Sequence, residues 1–305
     1  MKVLLFGANG QVGHALRSAL APIGDVVATT RSGALDDGVA CETADFDRPD
    51  TLAEIVARIA PVAVVNAAAY TAVDRAESDR DAAFRANAEA PAALAAACAR
   101  AGIPLIHYST DYVFDGTATR PYREDDATAP LGVYGASKLA GEDAIRASGA
   151  QHAILRTAWV YAAHGKNFMR TMLRLAAERE ELRVVADQVG SPTTADWIAA
   201  ATVPVLRAML DAPERSVGVR HLTAAGETTW HGFATAIVDA AHARGLIARK
   251  PTVVPIATVD YPTPARRPGY SVLDNGCLSA ELGIPWPHWA EDLNRALASI
   301  ARTVA

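Results

Sequence analysis

The chain has 305 residues, of which 50% are hydrophobic and 21% charged, and a net charge of −5. That is enough apolar mass for one large α/β domain or two smaller ones, and it excludes disorder, collagen and coiled coil. The acidic balance carries no basic stripe, which excludes a typical nucleic-acid binder. Cys41, Cys98 and Cys277 form neither a disulfide framework nor a paired metal spacing, so a reducing compartment is expected.

In chain order, the apolar run Val3-Leu4-Leu5-Phe6 ends at Gly7, the pattern of a strand buried on both faces. Residues 11–20 read as a helix, Val26-Val27-Ala28 as a second strand, and Leu52–Ile59 as a helix. Val62-Ala63-Val64-Val65 is another buried strand. Residues 82–100 form one long alanine-rich helix ending at Gly102, a C-cap. Residues 104–108 and 153–156 are further strands, with a helix over 137–147 between them. Strands alternating with helices in this way imply a parallel, doubly wound sheet of Rossmann type.

Past Tyr161 the rhythm degrades, although helices persist over Phe168–Glu178 and 195–210. Five prolines between Arg249 and Pro268 exclude a regular helix or central strand there. The expected organisation is an NAD(P)-binding Rossmann domain over 1–160. Residues 161–305 are then mainly a smaller substrate-binding lobe, with segments returning to the sheet, and Trp286 and Trp289 packing that lobe. The N-terminal apolar run is too short for a signal peptide, and the stretch 59–73 is too short to span a bilayer. A cytoplasmic chain with no membrane partner is expected.

Gly7, Gly10 and Gly13 follow the first strand and open the first helix. Glycine allows a tight turn and a close backbone approach to a pyrophosphate, and the helix N-terminus offers free N–H groups to it. Packing alone would also use such glycines. About 20 residues on, where NAD sites place a carboxylate for the ribose 2′-hydroxyl, the chain reads Thr29-Thr30-Arg31. Arg31 can pair with a 2′-phosphate, so NADPH is expected to be preferred, with NADH as an alternative. Asp45 and the Phe46 backbone follow the third strand, where they can read an adenine edge. Ala67, Ala68 and Ala69 follow the fourth, where small side chains let a cofactor lie close.

Tyr134 and Lys138 are four apart and share a helix face. Eight tyrosines and only four lysines (Lys2, Lys138, Lys166 and Lys250) make such a pair rare by chance. A lysine ammonium beside a tyrosine favours the phenolate and brings its proton exchange nearer neutral pH. Thr110 and Asp111 lie at the end of the fifth strand, where open α/β sheets bind ligands. The Thr110 hydroxyl can hydrogen-bond a carbonyl gaining charge, and Asp111 can orient a sugar hydroxyl. His107 reads as a core histidine, with nothing in the sequence to pair with it, and His221 carries no catalytic signal. Arg266 and Arg267 either meet a pyrophosphate or cover the surface.

The glycine loop, Asn66-Ala67-Ala68-Ala69, residues 109–116 (STDYVFDG) and Tyr134-Gly135-Ala136-Ser137-Lys138 together resemble the extended short-chain dehydrogenase/reductase superfamily. Within it they resemble the dTDP-4-dehydrorhamnose reductase family. The likeness continues through residues 156–161, Asn167-Phe168, residues 187–193 and Arg267-Pro268, nearly the whole chain. It implies NADPH- or NADH-dependent reduction at C4 of dTDP-4-dehydro-L-rhamnose, with a dTDP-sugar as the partner and a monomer or homodimer as the assembly. Thr110, Tyr134 and Lys138 would be catalytic. Gly7, Gly10, Gln11, Val12, Gly13, Arg31, Asp45, Phe46 and the three alanines would hold the cofactor together with Tyr134 and Lys138. Thr71, Val73, Thr110, Asp111, Tyr134, Trp159, Asn167 and Arg267 would meet the sugar nucleotide. Tyr112 stands where related dehydratases carry Glu, which favours simple reduction. A non-catalytic NADP-binding regulatory subunit and a nucleotide-sugar epimerase or dehydratase are the other readings. Ala15 occupies a position where some relatives carry a metal-binding glutamate, so no metal is expected.

Overall fold

A computed structural model describes residues 1–212 and 216–304. Its centre is a parallel sheet built from β1 (Lys2–Phe6), β2 (Asp25–Thr30), β3 (Glu42–Thr43), β4 (Ala63–Asn66), β5 (Leu105–Thr110), β6 (His152–Thr157) and a seventh strand, Gly218–His221. The spatial order is Gly218–His221, β6, β5, β4, β1, β2, β3. The chain starts in the middle and winds outward both ways, which leaves a crevice between β1 and β4 at their C-terminal ends.

Both faces of the sheet are covered, which is why β1 is apolar from Val3 to Phe6. Val3 and Leu5 pack with Leu16, Ile198 and Val205 under the helices Gln11–Ala19 and Ala195–Asp211. Leu4 and Phe6 point the other way, toward Val56, Leu94 and Ile145 of the helices Leu52–Ile59, Ala90–Ala101 and Val133–Ala147. Alternate residues of one strand thus feed two cores.

The expected single helix over 82–100 is interrupted. It runs as Arg80–Phe84, a widened π turn at Arg85–Glu89, then Ala90–Ala101. Pro91 lacks the N–H that would bond the Asn87 carbonyl, so the ladder slips there. The freed Asn87 carbonyl lies against Gly141, where a Cβ would come within 2.1 Å of it.

The C-terminal half does two things. Its helix Ala195–Asp211 and strand Gly218–His221 complete the Rossmann layers. The rest forms a third core of Met169, Leu182, Phe233, Ile237 and Leu297, under the helices Phe168–Glu178, Trp230–Ala243 and Trp289–Val304. The proline-rich stretch contributes Thr252–Ile256, one half of a two-stranded ribbon with Glu181–Val185. Pro255 is tolerated there because a two-stranded ribbon has only edges. Trp289 packs this lobe as expected, but Trp286 does not. It packs against the sheet core, edge-to-face on Trp197 at 5.0 Å, with its Nε1 donating to the Thr223 carbonyl at 2.7 Å. Among the described residues, no helix is long and apolar enough to cross a membrane.

One buried ion pair clamps the Val133–Ala147 helix to β6. Arg156 donates to both Glu142 oxygens at 2.9 and 2.7 Å, with side-chain exposures of 2% and 0%. The guanidinium also sits 5.1 Å over the Phe114 ring. Glu142→Gln leaves a buried arginine without its counter-charge and is expected to cost about 3–5 kcal/mol. An apolar Glu142→Met/Arg156→Leu double variant is expected to lose less than either single change. Guanidinium unfolding of the three variants checks both statements, and a Glu142→Gln cost under about 1 kcal/mol contradicts the first.

Candidate active site

The crevice begins at Gly7, which turns the chain out of β1 at φ +80°. A Cβ on Gly7 would lie 2.6 Å from the Ala68 backbone nitrogen, and one on Gly13 would lie 2.0 Å from the Gly7 carbonyl oxygen. Only glycine permits either contact. Gly10 caps the next helix with no side-chain bond, so the first N–H groups at Gln11, Val12 and Gly13 remain open to an anion. The buried Gln11 Oε1 has no partner. The backbone cradle and the uncapped helix end together fit a dinucleotide phosphate.

Ala67, Ala68 and Ala69 run beside this turn, with the Ala67 N–H on the Phe6 carbonyl at 3.0 Å. Arg31 emerges at the end of β2, 69% exposed, and pairs with Asp45 at 3.4 Å and Asp47 at 3.3 Å. With Arg48 and Arg58 it lines an open cavity of about 560 Å³. The Phe46 ring packs edge-to-face on Phe6 at 5.7 Å.

Thr110 and Asp111 end β5. The Thr110 hydroxyl donates to Asp111 Oδ1 at 3.0 Å and accepts from the Tyr112 N–H at 3.2 Å. Asp111 is 2% exposed and its Oδ2 makes no hydrogen bond. Burial pushes its carboxyl up to about 6, against the opposing influence of the Ser271 and Thr110 hydroxyls.

Tyr134 and Lys138 sit one turn apart on the Val133–Ala147 helix, the Tyr134 ring edge-to-face on Tyr112 at 5.4 Å. The expected lowering of the tyrosine by its lysine is not what this geometry gives. Burial pushes Tyr134 up to about 12 and the Asp111 charge reinforces it, while only the Thr110 hydroxyl opposes. The lysine looks elsewhere: its Nζ lies 2.6 Å from the Tyr108 carbonyl oxygen and 3.2 Å from His107 Nε2. Burial brings Lys138 down to about 8, with the Glu142 carboxylate opposing.

His107 is fully buried, as expected of a core histidine, yet it is not alone: Asn66 Nδ2 lies 3.0 Å from its other ring nitrogen. Asn87 is a second residue that sequence reasoning missed. From the π turn it bonds both the N–H and the carbonyl of Tyr70, at 2.9 and 3.0 Å, and the Ser137 hydroxyl at 3.0 Å. It thereby fixes the segment bearing Thr71 and Val73 against the helix of Tyr134. The Pro91 signal could have revealed this widened turn. Next to Val73, Asp74 holds Arg267 at 2.8 Å, which ties that segment to the 263–268 loop. Arg266 is exposed.

Trp159 adopts a left-handed backbone at φ +47°, uncommon for a bulky residue. Its ring stacks on Trp230 at 3.5 Å, and Phe168 leans on the same ring at 4.6 Å. Trp230 carried no local motif and was missed. Asn167 accepts from the Arg170 N–H and donates to the Ala162 and His164 carbonyls, so its amide caps the Phe168–Glu178 helix. Among the described residues, no group of three or more His, Cys, Asp or Glu side chains could hold a metal ion.

A Rossmann sheet with a glycine turn on its first strand and a Tyr-x-x-x-Lys pair on the helix after its fifth defines a class, the nicotinamide-dependent oxidoreductases of the extended short-chain dehydrogenase/reductase superfamily. More narrowly, the chain belongs to the RmlD substrate binding domain family, whose model matches residues 1–302. It is 51% identical over 298 residues to a dTDP-4-dehydrorhamnose reductase of Burkholderia thailandensis, covering 95% of each chain. Among solved structures it is similar to a dTDP-4-dehydrorhamnose reductase of Clostridium acetobutylicum (35% identity, TM-score 0.86, 98% of this chain and 99% of that one). It is also similar to the Bacillus anthracis enzyme of the same name in complex with NADP (33% identity, TM-score 0.85, 98% and 99%).

The Asp111 geometry carries a stability consequence. Its folded carboxyl titrates at about 6, above the roughly 3.9 of an unfolded aspartate. The stability it contributes is therefore full below the unfolded value and lost as pH rises through the folded one. Asp111→Asn, which does not ionise, is expected to match wild type near pH 4 and exceed it by roughly 2–3 kcal/mol at pH 8. Unfolding midpoints at the two pH values check this, and a difference that stays constant with pH contradicts it.

Proposed function

We propose that the chain reduces the C4 carbonyl of dTDP-4-dehydro-L-rhamnose to give dTDP-L-rhamnose, in the cytoplasm, with NADPH preferred and NADH accepted. One observation carries the reading: Thr110, Asp111, Tyr134 and Lys138 converge at the C-terminal end of β5, beside the glycine cradle at the end of β1. The relatives' name supplies the substrate.

A bound reduced nicotinamide supplies hydride to the carbonyl carbon. The protein's residues handle the proton and the charge. Tyr134, held protonated by burial, gives its phenolic proton to the oxygen as the carbonyl π pair moves onto it. The Thr110 hydroxyl shares the developing negative charge. Lys138 returns a proton to the phenolate, and Asp111 orients a sugar hydroxyl. Gly7 to Gly13 and Ala67 to Ala69 hold the cofactor, and Arg31 takes a 2′-phosphate in competition with Asp45 and Asp47. Thr71, Val73, Trp159, Asn167 and Arg267 border the sugar nucleotide. In this reading residues 1–160 bind the cofactor and lend Thr71, Val73, Thr110, Asp111 and Trp159 to the sugar nucleotide, and 161–305 are mainly the substrate-binding lobe.

Tyr134→Phe, with the fold preserved by circular dichroism, is expected to lower kcat by 10²–10⁴ in a coupled NADPH-oxidation assay on the 4-keto sugar nucleotide. An unchanged rate removes Tyr134 from the reaction and favours the non-catalytic reading. Arg31→Ala is expected to reduce kcat/KM for NADPH by roughly 10–100-fold and to leave NADH nearly unchanged. Equal losses with both cofactors would show that Arg31 reads no phosphate.

A further inference from the structure

His107 lies on β5, opposite Asn66 of the neighbouring β4, and neither ring nitrogen is free. Asn66 Oδ1 accepts the Ala68 N–H at 3.1 Å, which fixes the amide so that its Nδ2 donates to His107 Nδ1 at 3.0 Å. A neutral imidazole that accepts at Nδ1 carries its proton on Nε2. Burial and the nearby lysine keep the ring neutral, well below the usual histidine range. The Nε2–H therefore points at Lys138 Nζ, 3.2 Å away. An ammonium has three donors and no lone pair, so two donors would meet at that contact. A neutral amine accepts the bond and still donates to the Tyr108 carbonyl oxygen at 2.6 Å.

We propose that His107 is a positioning residue for Lys138: with its proton fixed on Nε2 by Asn66, the ring favours the uncharged amine over the ammonium. Other groups bear on the same nitrogen. Glu142, one turn along the helix, favours the ammonium, but its oxygens are engaged by Arg156. Tyr134 lies one turn back, and burial at the end of β5 raises the Asp111 carboxyl to about 6. A less basic lysine gives its proton more readily to the Tyr134 phenolate left when the sugar oxygen takes the tyrosine proton, and it regains one from water. That catalytic consequence rests on the reduction proposed above; the tuning of the lysine does not.

The test uses the cofactor-free protein and NMR. Lys138 is the one buried lysine of four; Lys2, Lys166 and Lys250 are exposed. Its ¹³Cε resonance can thus be assigned by its absence from Lys138→Arg and followed with pH. His107→Gln replaces the Nε2–H with an amide able to turn a carbonyl oxygen toward Nζ. The Lys138 titration is expected to rise by about one pH unit or more, and the alkaline limb of kcat/KM to move up with it. A Lys138 titration that stays in place or falls overturns the proposal. If His107→Gln does not fold, the wild-type ring decides: long-range ¹H–¹⁵N correlation is expected to show the Nε2–H tautomer, and an Nδ1–H ring or an imidazolium overturns it. A protein that shows these shifts but reduces no sugar nucleotide would sink the proposed function and leave this inference standing. The converse result would do the opposite.

Discussion

The close seating of the Val133–Ala147 helix against the turn that follows β5 and the π turn at Arg85–Glu89 is the constraint on which the site depends. Two glycines make it possible. A Cβ on Gly135 would lie 2.2 Å from the Tyr112 carbonyl oxygen, and one on Gly141 would lie 2.1 Å from that of Asn87. Once the helix is down, the Glu142–Arg156 pair locks it at one end, and at the other Glu77 accepts the Val133 N–H at 2.8 Å. Lys138 then reaches the Tyr108 carbonyl and the His107 ring of the strand beneath it. Side-chain direction on a helix surface is fixed by backbone position, so seating the backbone places Tyr134 over Thr110 and Asp111.

The same seating sets the electrostatics. Lys138 and Asp111 are buried and Tyr134 is partly so, and each is displaced toward its uncharged form, to about 8, about 6 and about 12. Desolvation, not the lysine–tyrosine attraction, is the leading influence on all three. A site that holds its acid protonated and its lysine poised near neutrality suits proton donation to an oxygen that gains charge. It also stores strain of an electrostatic kind, since a buried carboxyl with an unbonded oxygen is tolerated at Asp111 only because the surrounding packing imposes it.

Much of the fold was legible because its signals are local. The apolar run of β1 is continuous because both faces are covered, and its alternate residues divide between two cores. Gly7 and Gly13 report backbone contacts that exclude a Cβ, and the spacing of Tyr134 and Lys138 reports one helical turn. Other features were not legible. The π turn at Arg85–Glu89 was read as plain helix because alanine-rich composition outweighs one proline. The capping of the Phe168–Glu178 helix by the Asn167 amide, with its bonds to the Ala162 and His164 carbonyls, carried no local signal. Trp230 became the partner of a strained Trp159 only when the second lobe folded back.

The sequence by itself determined the parallel sheet, the glycine turn and which tyrosine and lysine share a helix face, because each follows from contacts within one or two turns of chain. Only the tertiary structure decided what the lysine touches. Asn66 and His107 stand 41 residues apart, His107 and Lys138 31, and Asp74 and Arg267 193. No periodicity encodes such pairs. They arise because strands adjacent in the sheet are distant in the chain, and burial leaves each polar atom few partners to choose from.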